Sequence, residues 1–319
     1  MEGNRWRDIA LTAIAPAAWG TTYFVTQQFL PPDRPLFSAV MRALPIGLVL
    51  LALRRQLPRG EWWWRSLVLG LCNIGLFYPL IFLSAYGLPG GLASTIQAVN
   101  PLVVIALAWP MVGERATPFR LAGAGVGLVG VALLVWQTPE GITTLGLAGA
   151  FGSMLISAVG FLLIKRWTPP TDMLTLVSWQ LVLGGLFLVP VAAMAEGPPP
   201  ALDRDAVLGF VWMGVIGGGV AQWCWFRGLR RMPAGSVATI GLINPVVGIL
   251  LGVGFANEAF GPMQAVGITL VLAGVIAGQG VLRPPGEVRR SGDPNIGARR
   301  AVSFEQEGRF IVTDGRTDT

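Results

Sequence analysis

The sequence predicts an all-α integral membrane protein, with ten transmembrane helices arranged as two five-helix repeats of inverted topology. Three observations predict it. Hydrophobic residues fill 53% of the 319 positions and charged residues 13%, about half the charge of a soluble domain. Apolar runs of about twenty residues, long enough to cross about 30 Å of hydrocarbon as a helix, recur along the chain. One stretch also occurs twice: Asn100-Pro101, an apolar run and Glu114 return in the same order and spacing as Asn244-Pro245, an apolar run and Glu258. The match continues without gaps, pairing Pro89 with Pro233, Gly91 with Gly235, Thr95-Ile96 with Thr239-Ile240, Pro118 with Pro262, Gly123 with Gly267 and Gly130 with Gly274. A repeat on this scale points to a transporter built from two halves.

Taken in order, the apolar segments run approximately Ile9–Leu30, Leu36–Leu53, Trp64–Ser84, Gly91–Val112, Pro118–Trp136, Leu145–Lys165, Met173–Ala195, Ala206–Arg227, Ala234–Ala256 and Pro262–Leu282. They are continuously apolar, which suits helices with internally satisfied backbones rather than the alternating strands of a barrel. Residues 1–140 form the first repeat and 141–282 the second. Beyond 282 the chain turns rich in Arg, Gly, Asp and Pro, so residues 283–319 read as a disordered cytoplasmic tail. The first segment is too long for a cleavable signal peptide.

Charge orients the bundle. With Arg5 and Arg7 in the cytoplasm, the same side carries Arg54, Arg55, Arg59, Arg65, Arg115, Arg120, Lys165, Arg166, Arg227, Arg230 and Arg231. The other side has only Arg34 and Arg204 as basic residues, with several acids. That asymmetry places both termini in the cytoplasm. Trp62-Trp63-Trp64 beside Arg65 reads as an interfacial belt. Five helices per half is an odd number, so the second half enters from the opposite face. Glu114 then ends its helix inside and Glu258 outside.

The net charge of +6 is accounted for by these loop arginines, so no nucleic-acid partner is expected. Two cysteines and no histidine cannot assemble a metal site, and no cofactor is implied. With no His and no Asp in an apolar segment, an intramembrane enzyme is disfavoured, so no catalytic residue is assigned.

The chain resembles the ten-helix EamA type of the drug/metabolite transporter superfamily over about residues 8–282. The carriers are Trp19-Gly20-Thr21-Thr22-Tyr23-Phe24, Arg42 within Ala39-Val40-Met41-Arg42-Ala43, and the two Pro-to-Glu runs, each followed by a Gly-rich helix. The resemblance implies export of small metabolites, amino acids (aromatic ones included) among them, across a bacterial inner membrane.

Polar residues inside the membrane mark the candidate site, because they are costly unless they face a cavity or a partner. Trp19, Thr22, Tyr23 and Thr26 share one helix face. Asn73 and Tyr78 stand in the third segment, Ser94, Gln97 and Asn100 in the fourth, Gln222 and Trp223 in the eighth, Thr239 and Asn244 in the ninth. The repeat register superposes Tyr78 on Gln222 and Asn100 on Asn244. Trp19, Thr22, Tyr23, Arg42, Asn73, Tyr78, Gln97, Gln222 and Trp223 are the candidate substrate-binding residues. Asn100-Pro101 and Asn244-Pro245 are expected to kink mid-segment as hinges, with Asn satisfying the carbonyl that proline frees. Arg42 is the one firmly intramembrane charge. It can snorkel, bind carbonyls at a helix C-terminus, or meet an anionic substrate group, with the structural roles ranked first.

No segment carries an acidic group for a proton relay, and Glu114 and Glu258 read as caps or loop partners. The sequence therefore predicts an alternating-access exporter of small metabolites, amino acids foremost, working by facilitated diffusion or exchange as a monomer or homodimer. The alternatives are proton-coupled efflux of drugs or other metabolites and, in another class, a channel or scaffold.

Overall fold

The computed structural model describes residues 2–32, 34–87, 97–134, 143–255 and 261–278, all within one compact unit, Met1–Val281. Glu258 and the tail 283–319 lie outside them. The described chain is helical, without a strand. Its helices are α1 (Glu2–Gly20), α2 (Thr22–Phe29), α3 (Pro35–Arg54), α4 (Trp62–Gly70), α5 (Phe77–Gly87), α6 (Asn100–Val112) and α7 (Pro118–Leu134). Then follow α8 (Thr144–Arg166), α9 (Met173–Glu196), α10 (Arg204–Val211), α11 (Ala221–Arg231), α12 (Ala234–Ile240), α13 (Ile243–Phe255) and α14 (Pro262–Gly278). Among the described residues, six helical stretches are long and apolar enough to cross a membrane, and four shorter apolar helices accompany them.

Several expected continuous helices are interrupted. The third segment is α4 and α5 joined by a π-helical turn, Leu71–Gly75, and the eighth is α10 and α11 joined by a longer one, Trp212–Val220. Leu76 N–H reaches back five positions to Leu71 O at 2.8 Å, and Ala221 N–H likewise donates to Ile216 O. Both turns are glycine-bearing, and neighbours press on them: a Cβ at Gly75 would stand 3.0 Å from Phe187 Cδ1, and one at Gly218 the same distance from Arg42 O. The two coincide in the repeat register, since the 144-residue spacing of Tyr78 and Gln222 carries 71–75 onto 215–219. The first segment breaks at Thr21, whose hydroxyl donates to Ala18 O and accepts from Trp212 Nε1.

Small residues let the helices close on one another, as packing in a membrane requires. A Cβ at Gly47 of α3 would meet Leu181 Cβ of α9 at 2.8 Å, and one at Gly185 of α9 would meet Leu44 Cβ at 3.0 Å. Helices α7 and α14 meet glycine to glycine. The remaining packing comes in matched pairs: α5 on α8 and α11 on α1, α6 on α8 and α13 on α1.

One end of the bundle is basic and ion-paired. Arg227 Nη1 holds Asp8 at 2.8 Å, and Lys165 Nζ holds Glu114 at 2.7 Å. Arg65 lies over Trp62, Trp64 and Trp167 and pairs with Glu61. Of the expected tryptophan belt, Trp63 and Trp64 are exposed, but Trp62 is buried against Trp179, 6.4 Å between rings. At the opposite end Glu196 caps α3, accepting from the backbone N–H groups of Leu36 (2.6 Å) and Phe37 (2.9 Å).

Asp172 caps α9 at the basic end, accepting from Leu174 N and Thr175 N while pairing with Arg54 Nη2 at 2.6 Å. Burial pushes its carboxyl up, but the Arg54 bond, the Thr175 hydroxyl and N–H, and the Arg54 charge outweigh that and hold it below the ordinary value. A depressed folded pKa gives stability that is present above the unfolded value of about 3.9 and lost as pH falls through the lower folded one. Both side chains are about two-fifths exposed, so screening limits the pair to about 1 kcal/mol or less. Asp172→Asn is expected to lower the Tm slightly at pH 7, and the difference from wild type to shrink progressively as pH falls below about 4, in thermal melts across pH.

Candidate functional site

A cavity of about 620 Å³ opens between the two halves. Trp19, Thr22 and Thr26 line it from α1 and α2, Arg42 from α3, Asn73 from the first π-turn, and Tyr78, Ile81 and Phe82 from α5. Gln97 comes from just before α6, Asn100 and Pro101 from its start, Gln222, Trp225 and Phe226 from α11, and Asn244 and Pro245 from α13. Leu30, Pro31 and Pro32 line it near the end opposite the ion pairs.

Of the residues singled out in the sequence, Trp19, Thr22, Arg42, Asn73, Tyr78, Gln97 and Gln222 converge here with both Asn-Pro pairs. Two do not. The Tyr23 side chain lies outside the described part of the structure. Trp223 does not line the cavity but packs half-buried against the core. It follows Gln222 by one position, about 100° around the helix, so the two cannot share a face. Trp225 and Phe226, three and four positions on, are the residues beside Gln222. Thr239 is also turned away, its hydroxyl donating to Gly235 O at 2.7 Å, and Ser94 lies outside the described residues.

The Asn-Pro pairs break their helices rather than kink them. Helix α6 starts at Asn100 with Pro101 in its first turn, and α12 ends at Ile240 before α13 restarts at Ile243. Proline cannot donate four residues back, and the chain tightens instead: Leu102 N–H donates to Val99 O at 2.9 Å and Asn244 N–H to Gly241 O at 3.0 Å. Asn100 does not satisfy the freed carbonyl as expected. Its Nδ2 donates to Ser157 Oγ at 3.0 Å, and that hydroxyl donates to Met154 O. Gln97 does the same one turn away, through Ser153 to Ala150 O. Ser153 and Ser157, four apart on α8, form a polar stripe that docks the broken helix. Their spacing was the overlooked signal.

Buried amides continue this pattern. Asn73 Nδ2 donates to Gln180 Oε1 at 2.8 Å, and Gln222 Nε2 lies 3.5 Å from Tyr78 Oη. The latter pair are the two residues that the repeat superposes. Around them Trp225 packs Trp19 at 5.3 Å and Phe161 at 5.4 Å between ring centroids.

Arg42 is the charge in this setting. It is 6% exposed, so it does not snorkel, and it bonds no carbonyl among the described residues. Its guanidinium stands 4.8 Å from the Tyr78 ring centre and against Gly217, with Nε buried and unpartnered. Stacking on tyrosine contributes about 0.5–2 kcal/mol, while an arginine at membrane depth costs about 2.5–3.5 kcal/mol on insertion scales. Among the described residues the stacking thus offsets only part of the cost of this charge.

The chain matches the EamA-like transporter family twice, over residues 6–136 and 144–277. It belongs to that family. This EamA-like chain is thus a multi-pass membrane transporter. It is 35% identical over 269 residues to Protein PecM of Dickeya dadantii, covering 84% of this chain and 90% of that protein. It is 24% identical to a probable amino-acid metabolite efflux pump of Salmonella typhimurium, covering 84% and 93%. A solved crystal structure superposes with a TM-score of 0.72 at 20% identity, covering 85% of this chain and 96% of that one; the likeness shows a shared fold alone.

Proposed function

We propose that the protein exports small metabolites from the bacterial cytoplasm by alternating access, through the cavity between its halves. Amino acids, aromatic ones in particular, are the first substrate class, and facilitated diffusion or exchange is the mode. The reading places ten spans in the inner membrane as two inverted repeats, 1–140 and 141–282, with both termini cytoplasmic.

The contact between Tyr78 and Gln222 in the cavity wall carries this reading. Residues equivalent in the repeat can meet only near the axis that relates the halves, and transporters of this kind place the substrate there. The glycine contacts support inversion. Gly123 of α7 lies against Gly274 and Gly278 of α14, and Gly130 lies against Gly267. As numbers rise along α7 they fall along α14, so these repeat-equivalent helices run antiparallel. Contacts 123–274 and 267–130 also exchange under the repeat. The amino-acid class is supported by the aromatic cavity wall and by the name of the Salmonella relative. Uncoupled transport is supported by the cavity lining, which among the described residues holds no carboxylate.

The test is uptake of labelled aromatic and aliphatic amino acids into proteoliposomes, with and without an imposed pH gradient. Saturable, gradient-independent uptake is expected, cut at least tenfold by Ala238→Phe, which fills the cavity from α12. Uptake that requires a proton gradient, or that survives Ala238→Phe unchanged, would overturn the reading.

A further inference from the structure

We infer that the cavity selects organic anions: it takes a carboxylate carried on an aromatic body in preference to a zwitterion or cation of the same shape. This rests on the reading above that the cavity is the substrate site, and it refines the class named there: an aromatic amino acid binds through its carboxylate, but more weakly than the matching anion without the ammonium group.

Arg42 is the charged residue among the described lining, and it has neither a carboxylate nor a hydrogen-bond partner there. Its three sequence-level roles were snorkelling, carbonyl binding and meeting an anionic ligand. Its 6% exposure removes the first, and among the described residues no carbonyl accepts a hydrogen bond from it, which favours the third over the second. Tyr78 covers one face of the guanidinium without neutralising it. A bound carboxylate would, with the planar two-donor geometry that favours arginine over lysine. A zwitterion would leave the site with net positive charge, and a cation would double it, in surroundings too apolar to screen either.

The rest of the wall fits the remainder of such a ligand. Trp19, Phe161 and Trp225 form a contiguous aromatic surface that stacks on planar groups. The buried oxygens Gln222 Oε1 and Asn100 Oδ1 lack hydrogen-bond partners. They are neutral acceptors for an N–H or O–H on the ligand, with no charge to draw an ammonium.

The experiment compares three phenyl compounds that differ only in charge: 3-phenylpropionate, phenylalanine and 2-phenylethylamine. Their Kd values are measured by calorimetry on the full chain in lipid nanodiscs. The expected order is anion tightest and cation weakest, with at least tenfold between the ends. Arg42→Gln is expected to abolish that order by weakening the anion at least tenfold. Arg42→Lys, which keeps the charge but loses the stacked plane, is expected to keep the order at lower affinity. This pair separates loss of charge from loss of fold. Equal binding of cation and anion, an unchanged anion Kd in Arg42→Gln, or no binding of any of the three would overturn the inference. If Ala238→Phe leaves transport intact, the cavity reading fails with it. If Ala238→Phe blocks transport but the charge order is missing, only the anion assignment falls.

Discussion

Gly274→Leu is expected to leave almost no folded, monodisperse protein. Even the first carbon of a side chain has no room there: a Cβ would stand 2.6 Å from both Gly123 O and Gly127 N, which are backbone atoms and cannot swing aside. The equivalent positions are as tight, at 2.7 Å for Gly130 against Gly267 O and 2.4 Å for Gly123 against Gly278 N. Extra methylenes in a packed core cost about 1–3 kcal/mol. Here a whole side chain must pry two helices apart, and in lipid no hydrophobic effect draws them back. The expected loss is about 3 kcal/mol or more, read as Tm and elution profile in detergent. Gly125→Ala is the control, because nothing lies within 4 Å of its Cβ position. It should melt at or slightly above wild type, as alanine is the better helix former. Equal Tm for both variants would refute the argument.

Lys165→Met is expected to unlatch the basic end. Lys165 Nζ bonds Glu114 Oε1 at 2.7 Å, Leu229 O at 3.2 Å and Met232 O at 2.5 Å, while Glu114 Oε2 accepts from Ala234 N at 2.8 Å. Four segments of chain from both halves are thus tied at one point. Breaking a buried pair from one side costs about 3–5 kcal/mol. These side chains are about one-fifth exposed, so about 1–3 kcal/mol is expected. Glu114→Gln should cost less, since its amide oxygen can still accept from Ala234 N. The readout is alkylation of Ser157→Cys, a cavity residue, with Cys72 and Cys224 replaced by Ala. A reagent confined to the basic face should label it at least tenfold faster in Lys165→Met. An unchanged rate would show that the pair does not close that end.

Much of this was legible in the sequence because it depends on local chemistry. Continuous apolar runs gave the helices, and intramembrane amides gave most of the cavity wall, since such groups have few other places to go. The departures arise where tertiary packing decides. Nothing local to Leu71–Gly75 or Trp212–Val220 distinguishes a π-turn from α-helix; both lie where a residue remote in sequence closes on a glycine, Phe187 on Gly75 and Arg42 on Gly218. Asn100 found its partner on α8, a segment remote in sequence. Trp223 and Trp225 differ by a rotation that helical periodicity alone would have resolved, by counting from Gln222.

The two π-turns bear on how the half-helices beyond them can move. A π-turn stores one residue more than an α-turn, and the bond pattern can pass between the two without breaking the helix. Were either turn to relax to α geometry, the half-helix following it would screw about 100° around its own axis and advance about 1.5 Å. Tyr78 follows the first turn and Gln222 the second, so such a step would carry the ring beneath Arg42, or the amide beside it, out of the cavity wall. In that event the stored residue would act as a ratchet tooth, turning a wall residue away by rotation while the helix around it stays upright.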